Sequence, residues 1–388
     1  MSDARAPSAF ELLSQLVAYD STSCFSNVAV SEAIAQRLDD LGFDTTLSQY
    51  VDAAGVSKAN VVAKLEPIRR STGNAGLAYF CHSDVVPSAD WSRNHSPFEL
   101  TAESDKWFGR GSCDMKGSAV CMLEATSRIR RSDLNGPVYF VCTADEEVGF
   151  AGARHFATHG DLYRELVSQQ TPAIIGEPTS LRVVHAHKGI CGLRIVSKGR
   201  SAHSSSREGL NANLAMIPFL SRMLELRQQT LVESRWQHPE FDPPDVSWNI
   251  GINDFNYAPN ITACQSVCTI FFRPTPNRDF SDLIQQVKSV ATEFGLEFEV
   301  EMQSKPFYTE PDNAFVIAAN EIAGQPQAIT VAYGTDGGEL SGLENMIVLG
   351  PGDIAQAHTA DEWIATEQID KGIDMFERFL RHFCCNYN

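Results

Sequence analysis

Apolar residues recur along the first part of the chain with two different spacings. Apolar positions three or four apart predict helices, and short apolar runs predict strands between them. The predicted helices are Ala9–Tyr19, Ala29–Leu41 and Ser118–Ile129, and the predicted strands are Val61–Leu65, Leu77–Phe80, Pro137–Cys142 and Ala173–Ile175. Ser8 stands where it could cap the first helix. This alternation predicts an α/β fold with a mostly parallel, mixed sheet and helices on both faces.

The pattern changes at Lys188-Gly189 and changes back after residue 304. Between these points the predicted strands are Gly189–Val196, Val246–Ile252, Ile261–Phe272 and Leu296–Met302, and the predicted helices are Leu210–Arg227 and Phe280–Phe294. The order strand, helix, strand, strand, helix, strand is typical of a ferredoxin-like α+β domain. The first pattern then resumes with helices at Ala314–Ile322 and Glu367–Phe383 and strands at Ala328–Ala332 and Met346–Leu349. We therefore predict a domain made of residues 1–187 and 305–388, interrupted by an inserted domain at 188–304.

Composition narrows the class of protein. Hydrophobic residues make up 43% of the 388 positions and charged residues 21%, which is the range of a folded globular protein. The formal net charge of −18 repels phosphate backbones, so we expect no nucleic-acid partner. No apolar run approaches the ~20 residues of a membrane span, and the chain start lacks the apolar stretch of a signal peptide. We expect a cytoplasmic protein without a membrane partner, whose ten cysteines are reduced and mostly buried.

Side chains that bind metals follow the apolar strands. His82 and Asp84 come after one strand, Glu146 and Glu147 after the next, and Glu177 and His358 after two others, while Asp114 follows the Gly109–Gly111 turn. In open α/β sheets, ligands bind at the carboxyl ends of the strands. We therefore expect these residues, although distant in sequence, to converge on one crevice.

The side-chain types predict two divalent cations. Two imidazoles and three carboxylates suit zinc, with cobalt or manganese as substitutes. Two ions need more ligand positions than five side chains supply singly, so one carboxylate should bridge ions about 3.5–4 Å apart. On extended chain, Asp84 would lie on the same face as His82 and accept its ring N–H. Glu146 and Glu147 would point opposite ways, one toward the metal and the other toward the substrate as a base.

Each of these residues also has an ordinary structural interpretation. Asp114 could be a helix N-cap, Glu177 before Pro178 could belong to a turn, and the Glu146-Glu147 pair could be solvated surface. His185 and His187 form a second candidate metal pair. The coincidence of all five ligand candidates at strand ends or a helix start is what favours a metal centre.

Five segments together resemble the motifs of the di-zinc aminoacylase/carboxypeptidase superfamily. The run from His82 to Pro87 is similar to its H-x-D-x-V-P motif, and the run from Gly109 to Gly117 is similar to G-x-G-x-x-D-M-K-G. Three further segments are similar as well: Thr143–Glu147, Gly176–Ser180 and Gly199–Ser205. The resemblance runs from Val62 to the C-terminus. Ser83 and Val85 differ slightly at the x positions of the first motif, and the Tyr333–Glu339 segment is similar to the general form of the superfamily. These features leave the metal centre intact and the exact acyl amino acid open.

The resemblance implies an activity. We expect a hydrolase that removes the acetyl group from an N-acetylated amino acid, with N2-acetylornithine, an intermediate of arginine biosynthesis, as the expected substrate. N-acetylcitrulline, succinyl-diaminopimelate or a dipeptide are the alternative substrates. A non-catalytic, metal-dependent binding protein is the alternative from another class. Glu146 argues against it, because a protein that only binds has no need of a base beside its metals.

The resemblance also implies residue roles. One Zn²⁺ would be held by His82, Asp114 and Glu177, and the other by Asp114, Glu147 and His358. Glu146 would be the general base, and Asp84 would support His82. The inserted domain would serve as a lid and dimerisation domain of a homodimer. From it, His203 would reach another subunit's active site and polarise the scissile carbonyl, and Arg273 and Asn260 would bind the α-carboxylate side of the substrate.

Overall fold

The computed structural model describes residues 7–69, 71 and 73–385, so most of the chain start, where we predicted no signal peptide, lies outside the described residues. The helices are α1 (Ala9–Val17), α2 (Val28–Asp40), α3 (Lys116–Ser127), α4 (Ala151–His159), α5 (Asp161–Gln169), α6 (Asn213–Val232), α7 (Ser281–Glu293), α8 (Ala314–Ala323) and α9 (Thr366–Cys384). The strands are β1 (Asp44–Val51), β2 (Ser57–Leu65), β3 (Leu77–His82), β4 (Thr101–Glu103), β5 (Lys106–Phe108), β6 (Val138–Thr143), β7 (Ala173–Ile175), β8 (Val184–His187), β9 (Ile190–Lys198), β10 (Asn249–Asn253), β11 (Gln265–Phe272), β12 (Glu297–Ser304), β13 (Phe307–Tyr308), β14 (Ile329–Val331), β15 (Met346–Val348) and β16 (Trp363–Ala365). None of the described helices combines the length and the apolar character that a membrane-spanning helix needs.

Backbone contacts divide the chain into two compact units. The first comprises Met1–Ala186, Thr309–Ile329 and Thr335–Asn388, and the second comprises His187–Tyr308 and Thr330–Gly334. The short return of the chain to the second unit at Thr330 has no counterpart in the sequence pattern. The division into two separate domains stays a prediction, with residues 1–187 and 305–388 in one and residues 188–304 in the other.

The main sheet of the first unit is parallel at its centre and antiparallel at its edges. Strands β6, β3, β7 and β15 lie side by side in that order, and all three neighbouring pairs are parallel. Beyond β6, strands β2 and β1 pair antiparallel, and beyond β15, strand β8 is antiparallel. The predicted mixed, mostly parallel sheet is therefore confirmed, with its parallel part limited to the four strands that lead into the candidate ligands.

Helices cover both faces of this sheet, as predicted. Successive strand residues point to opposite faces, and Tyr79 and Phe80 on β3 show the result. The Tyr79 ring packs on Phe376 of α9, with ring centroids 5.4 Å apart. The Phe80 ring packs on Phe156 of α4, with centroids 6.0 Å apart. The parallel strands are thus buried on both sides, which explains why they are apolar throughout rather than alternating.

Several elements of the first unit were missed from sequence. Strand β1, with the sequence DTTLSQYV, is partly exposed along its whole length, so it lacks the apolar run of a buried strand. Helices α4 and α5 were missed as well, and they carry few buried residues. The predicted cap of α1 is confirmed, because the Ser8 hydroxyl accepts from the Glu11 N–H and the Glu11 carboxylate accepts from the Ser8 N–H.

The second unit has the predicted ferredoxin-like order. Its sheet runs β10, β11, β9, β12, and every neighbouring pair is antiparallel. Helices α6 and α7 pack on one face around a separate apolar cluster that includes Leu193, Phe219, Ile270 and Val287. Both edge strands, β10 and β12, are left unpaired on their outer side within the described sheet.

Candidate metal centre

The candidate ligands follow the four central strands of the first unit. His82 is the last residue of β3, Glu177 lies two residues beyond β7, Glu146 lies three beyond β6, and His358 follows β15. Because these strands are parallel neighbours, their carboxyl ends open onto the same edge of the sheet. The loops after β7 and β15 also touch: a Cβ at Gly350 would lie 2.2 Å from the Gly176 carbonyl oxygen, so only glycine permits this approach.

Asp114 lies between two groups of ligand atoms. Its Oδ1 is 3.2 Å from His82 Nε2, and its Oδ2 is 3.4 Å from His358 Nε2. On one side His82 Nε2 is also 3.7 Å from Glu177 Oε1. On the other side His358 Nε2 is 2.9 Å from Glu147 Oε2. Each oxygen of Asp114 therefore faces a different imidazole, which is the geometry of a carboxylate shared by two cations.

The ligand atoms are close enough to hold metal ions. Two groups of three side chains each place one ligand atom per residue within 4.8 Å of the others. One group is His82, Glu146 and Glu177, and the other is His82, Asp114 and Glu147. Glu147 Oε1 is buried and has no hydrogen-bond partner among the residues that the structure describes. Nitrogen and oxygen donors in this number, with a buried oxygen left to bind, fit two divalent cations of the zinc type.

The charges of the centre explain the shifted pKa values of its residues. Burial raises the pKa of Glu177 well above its usual range, and the Asp114 carboxylate adds to the effect. Burial, reinforced by Asp114, also raises the pKa of Glu147 to about 7. Burial opposes the ionisation of Asp114, but hydrogen bonds from His358 and His82 outweigh it and hold its pKa below the usual range. The same bond to Asp114, followed by the one to Glu147, raises the pKa of His358 to about 10. Without metal, the centre therefore retains protons at positions where cations would neutralise the carboxylates.

Asp84 supports the centre differently from the sequence expectation. His82 Nδ1 lies 3.0 Å from the backbone carbonyl oxygen of Asp84 and 3.7 Å from its carboxylate, so the closer oxygen is the carbonyl. The Asp84 carboxylate instead accepts from the backbone N–H groups of Glu146 and Glu147, at 3.1 and 3.3 Å, and from the Ser23 hydroxyl at 2.7 Å. β3 ends at His82, so Ser83 and Asp84 lie beyond the strand whose alternation the sequence expectation relied on.

The Glu146-Glu147 pair lies in a turn rather than on extended chain, which corrects the reason given for its two orientations. The turn begins at Asp145, whose φ of 59° is left-handed. The Asp84 carboxylate accepts from the backbone N–H groups of Glu146 and Glu147. The carboxyl group of Glu146 joins His82 and Glu177, while that of Glu147 faces His358. Burial, followed by the charge of Glu177, raises the pKa of Glu146 well above its usual range.

Two buried charges behind the centre were missed from sequence. Lys58 on β2 is 2.6 Å from the Asp145 carboxylate and donates to the carbonyl oxygens of Ser23 and Phe25. Asp336 accepts a short hydrogen bond from Thr143 at the end of β6. The one available signal for Lys58 was a charged residue inside an apolar strand run. Asp336 stands in the Tyr333–Glu339 segment, where a carboxylate between small residues gives no local signal of burial.

The remaining predicted residues belong to the second unit. The structure brings His203 and Asn260 together there, since His203 pairs with Ile261 and the Ser204 N–H donates to the Asn260 carbonyl at 2.9 Å. His203 is exposed, and its Nδ1 lies 2.6 Å from the Ser205 hydroxyl and 3.3 Å from the Ser205 backbone nitrogen. Arg273 follows β11, and its guanidinium lies 5.2 Å from the Phe271 ring centroid.

The alternative pair His185 and His187 is held by backbone oxygens. His185 Nδ1 lies 2.8 Å from the Thr309 carbonyl oxygen, and His187 Nδ1 lies 2.8 Å from that of Lys188. Burial lowers the pKa of His187 to about 4, so its ring is neutral at ordinary pH. Neither histidine belongs to a group of three metal-type side chains within the described ranges.

Comparison with known proteins agrees with this geometry. Residues 78–382 match peptidase family M20/M25/M40. The acetylornithine deacetylase of Proteus mirabilis is 33% identical, over 97% of both chains. An M20-family metallo-carboxypeptidase from Sulfolobus solfataricus superposes with a TM-score of 0.75 at 18% identity, over 97% of this chain and 99% of that one. A dinuclear metal-binding peptidase of family M20 from Bacillus subtilis superposes with a TM-score of 0.61 at 14% identity, over 96% of each chain.

Proposed function

The chain belongs to peptidase family M20/M25/M40 and is a metal-dependent hydrolase of amide bonds, and we propose that it removes the acetyl group from N2-acetylornithine. The products are ornithine and acetate, which places the reaction in arginine biosynthesis. Support for the substrate comes from the 33% identity to the Proteus mirabilis enzyme across nearly the whole chain. N-acetylcitrulline, succinyl-diaminopimelate and dipeptides remain the alternative substrates of the same centre.

One observation carries the hydrolytic mechanism: the carboxyl group of Glu146 lies within reach of His82 and Glu177, in a turn fixed by Asp84. We assign His82, Asp114 and Glu177 to one Zn²⁺ and Asp114, Glu147 and His358 to the other, with Co²⁺ or Mn²⁺ as substitutes. Bound there, the two cations would polarise the amide carbonyl and lower the pKa of a water molecule. This ligand set is supported by the two imidazoles on opposite oxygens of Asp114.

Glu146 moves the proton that the reaction requires. It accepts a proton as the water oxygen attacks the carbonyl carbon, and it delivers a proton to the amide nitrogen as the C–N bond breaks. Asp84 keeps this base in place through the two N–H groups of the turn.

We assign His203 to the carbonyl oxygen and Asn260 and Arg273 to the α-carboxylate side of the substrate. The contact of His203 Nδ1 with Ser205 supports this role, because an imidazole held through one ring nitrogen can donate a hydrogen bond to a developing oxyanion from the other. The pairing of the 203 and 261 segments places Asn260 beside His203 in the second unit.

We further propose a homodimer formed through β10 and α6 of the second unit. The two sheet edges differ: β12 exposes Glu297, Glu299 and Glu301, whereas β10 has the uncharged sequence NIGIN. Charged side chains discourage pairing at the first edge, and β10 has none. Beside β10 lies a groove of about 430 Å³, and around it Ile217 and Ile252 are 61% and 62% exposed. An apolar strip along an unpaired strand suits a second copy of the same surface.

Sedimentation of two variants tests the dimer. Ile217→Glu combined with Ile252→Glu should give a monomer, because two charges would be buried in the interface. Val232→Glu is the matched control, since Val232 is equally exposed on α6 but does not line the groove. A wild-type protein that sediments as a monomer, or a double variant that still dimerises, would contradict the proposed surface.

We place the protein in the cytoplasm. Eight of the ten cysteines are buried, and all ten are free thiols, which is typical of a reducing compartment. Fractionation of cells that express the chain, with blotting of each fraction, tests this placement.

Amine release from N2-acetylornithine by zinc-loaded protein tests the function, with N-acetylcitrulline, N-acetylmethionine, succinyl-diaminopimelate and a dipeptide alongside. Glu146→Gln should keep both metals and lose at least ~10²-fold in kcat. Glu165→Gln, which removes a carboxylate bound to Lys64 and Tyr139, is the control and should keep its activity. Turnover of only one of the other substrates would change the substrate assignment. An unchanged kcat in the Glu146→Gln variant would show that Glu146 is not the general base.

A further inference from the structure

A buried ion pair lies beside the metal centre without belonging to it. Arg110 Nη1 is 3.0 Å from Glu362 Oε2, and each side chain is only 1% exposed. The two residues are 252 positions apart in the chain. Neither residue is a proposed ligand or base, so the pair has no direct part in the proposed hydrolytic steps.

Glu362 binds the backbone of the loop that carries Asp114. Its Oε1 accepts from the N–H groups of Cys113 and Asp114, at 2.9 and 3.0 Å, and its Oε2 accepts from the Gly111 N–H at 2.9 Å. With Arg110, the carboxylate therefore has four donors, which satisfies its buried charge. The loop can wrap around it because Gly111 has a φ of 81°, and a Cβ there would lie 2.7 Å from Val85.

The same pair reaches two further ligand segments. The Arg110 Nη2 donates to the Pro87 carbonyl at 3.3 Å, at the end of the segment that begins with His82. Glu362 itself lies four residues after His358 in the same segment. One ion pair thus connects the three segments that supply His82, Asp114 and His358.

We propose that Glu362, held by Arg110, is a positioning residue that fixes the bridging carboxylate Asp114 between its two imidazoles and so sets the affinity for cations. This inference rests on the proposed ligand set. A carboxylate shared by two cations must keep both oxygens correctly placed at once, and Glu362 fixes the backbone of that very residue. Partners of this kind orient ligands, and their loss costs roughly 10–100-fold in metal affinity.

Glu362→Gln tests the proposal with little change in shape. An amide keeps one acceptor oxygen but turns an NH₂ group toward two of the four donors, so the Asp114 loop should lose its fixed position. Metal-free protein is titrated with Zn²⁺ against a competing chelator, and with Co²⁺, whose visible absorption reports ligand geometry. We expect at least a tenfold weaker affinity for the more weakly bound ion and a changed Co²⁺ spectrum.

Glu165→Gln is the matched control. It also removes the charge of a carboxylate in the first unit, but that carboxylate binds the side chains of Lys64, Tyr139 and Gln169 rather than the backbone of a ligand segment. A merely structural role for Glu362 would lower the stability of both variants and leave the zinc affinity of both unchanged. That result, in a Glu362→Gln variant with a wild-type circular dichroism spectrum, would overturn the proposal.

If Glu362→Gln does not fold, a second variant tests the proposal. Glu362→Asp keeps the charge and shortens the reach, so it should fold and bind zinc at least tenfold more weakly; wild-type affinity there would also overturn the proposal. The binding readout separates the two claims. Wild-type protein that binds two ions but does not cleave N2-acetylornithine would contradict the substrate and leave the positioning role intact.

Discussion

The buried carboxyl group of Asp336 should make the metal-free protein less stable as the pH rises. Its side chain is almost fully buried, Oδ2 accepts from Thr143, and Oδ1 has no partner among the described residues. Burial raises its pKa from 3.8 to about 7, against the effect of the Thr143 bond and with help from Asp84. A carboxyl group with a raised folded-state pKa favours folding below its unfolded pKa. That contribution is lost as the pH rises through about 7.

The size of the effect follows from the shift. About three pKa units correspond to about 4 kcal/mol at 1.36 kcal/mol per unit. Ionisation of the unfolded chain begins near pH 4, so roughly 2–3 kcal/mol of this loss falls between pH 5 and pH 8. The burial of Glu146, Glu147 and Glu177 shifts their pKa values in the same direction, so the wild-type curve contains several contributions. Only a comparison with an Asp336 variant isolates its share.

Asp336→Asn provides that comparison, because the amide oxygen still accepts from Thr143 and does not titrate. Protein treated with a chelator is unfolded in urea at pH 5, 6, 7 and 8. The opening of the first unit is measured by pulsed hydrogen exchange at β3 and β6, with the pulse at one fixed pH. The free energy of unfolding should fall by roughly 2–3 kcal/mol more in the wild type than in the variant. Parallel curves for the two proteins would refute the burial argument.

Three further predictions concern the centre and its supports. Zinc should displace protons from His358 and Glu147, whose pKa values are raised to about 10 and about 7, so zinc affinity should increase from pH 6 to pH 9. Calorimetry in buffers of different ionisation enthalpy should then show proton release, and identical heats would contradict this. His203→Ala should lower kcat by about 10²-fold with both metals retained, and an unchanged kcat would remove its role. Lys58→Met should cost about 3–5 kcal/mol in urea unfolding, because it leaves Asp145 buried without its cation; a loss below about 1 kcal/mol would contradict the pairing.

The sequence alone predicted an inserted domain and placed the candidate site residues directly after strands. Both depend on local patterns, namely apolar runs that predict strands and polar side chains directly after them. His82, Glu146, Glu177 and His358 could therefore be assigned to strand ends before the strand order was known. The order of elements in the second unit was equally predictable, because each strand and helix there has its own apolar face.

Tertiary structure decided how those residues are supported. The antiparallel pairing of β2 with β6 joins segments more than seventy residues apart, which no local pattern specifies, and the turn that carries Glu146 and Glu147 is held by Asp84, which is also distant in sequence. The Asp84 carboxylate binds that turn rather than the His82 ring, because the fold brings the N–H groups of Glu146 and Glu147 to within 3.1 and 3.3 Å of it. Local spacing cannot reveal a partner that is more than sixty residues away.

The buried charges were the least predictable part of the site. Lys58 with Asp145, and Arg110 with Glu362, join residues that are far apart in sequence. Each side chain taken alone suggests a solvated surface residue. Their pairing, and the raised pKa of Asp336, arise only when the sheet brings distant segments together and excludes water from between them, because burial is what makes an unpaired charge costly.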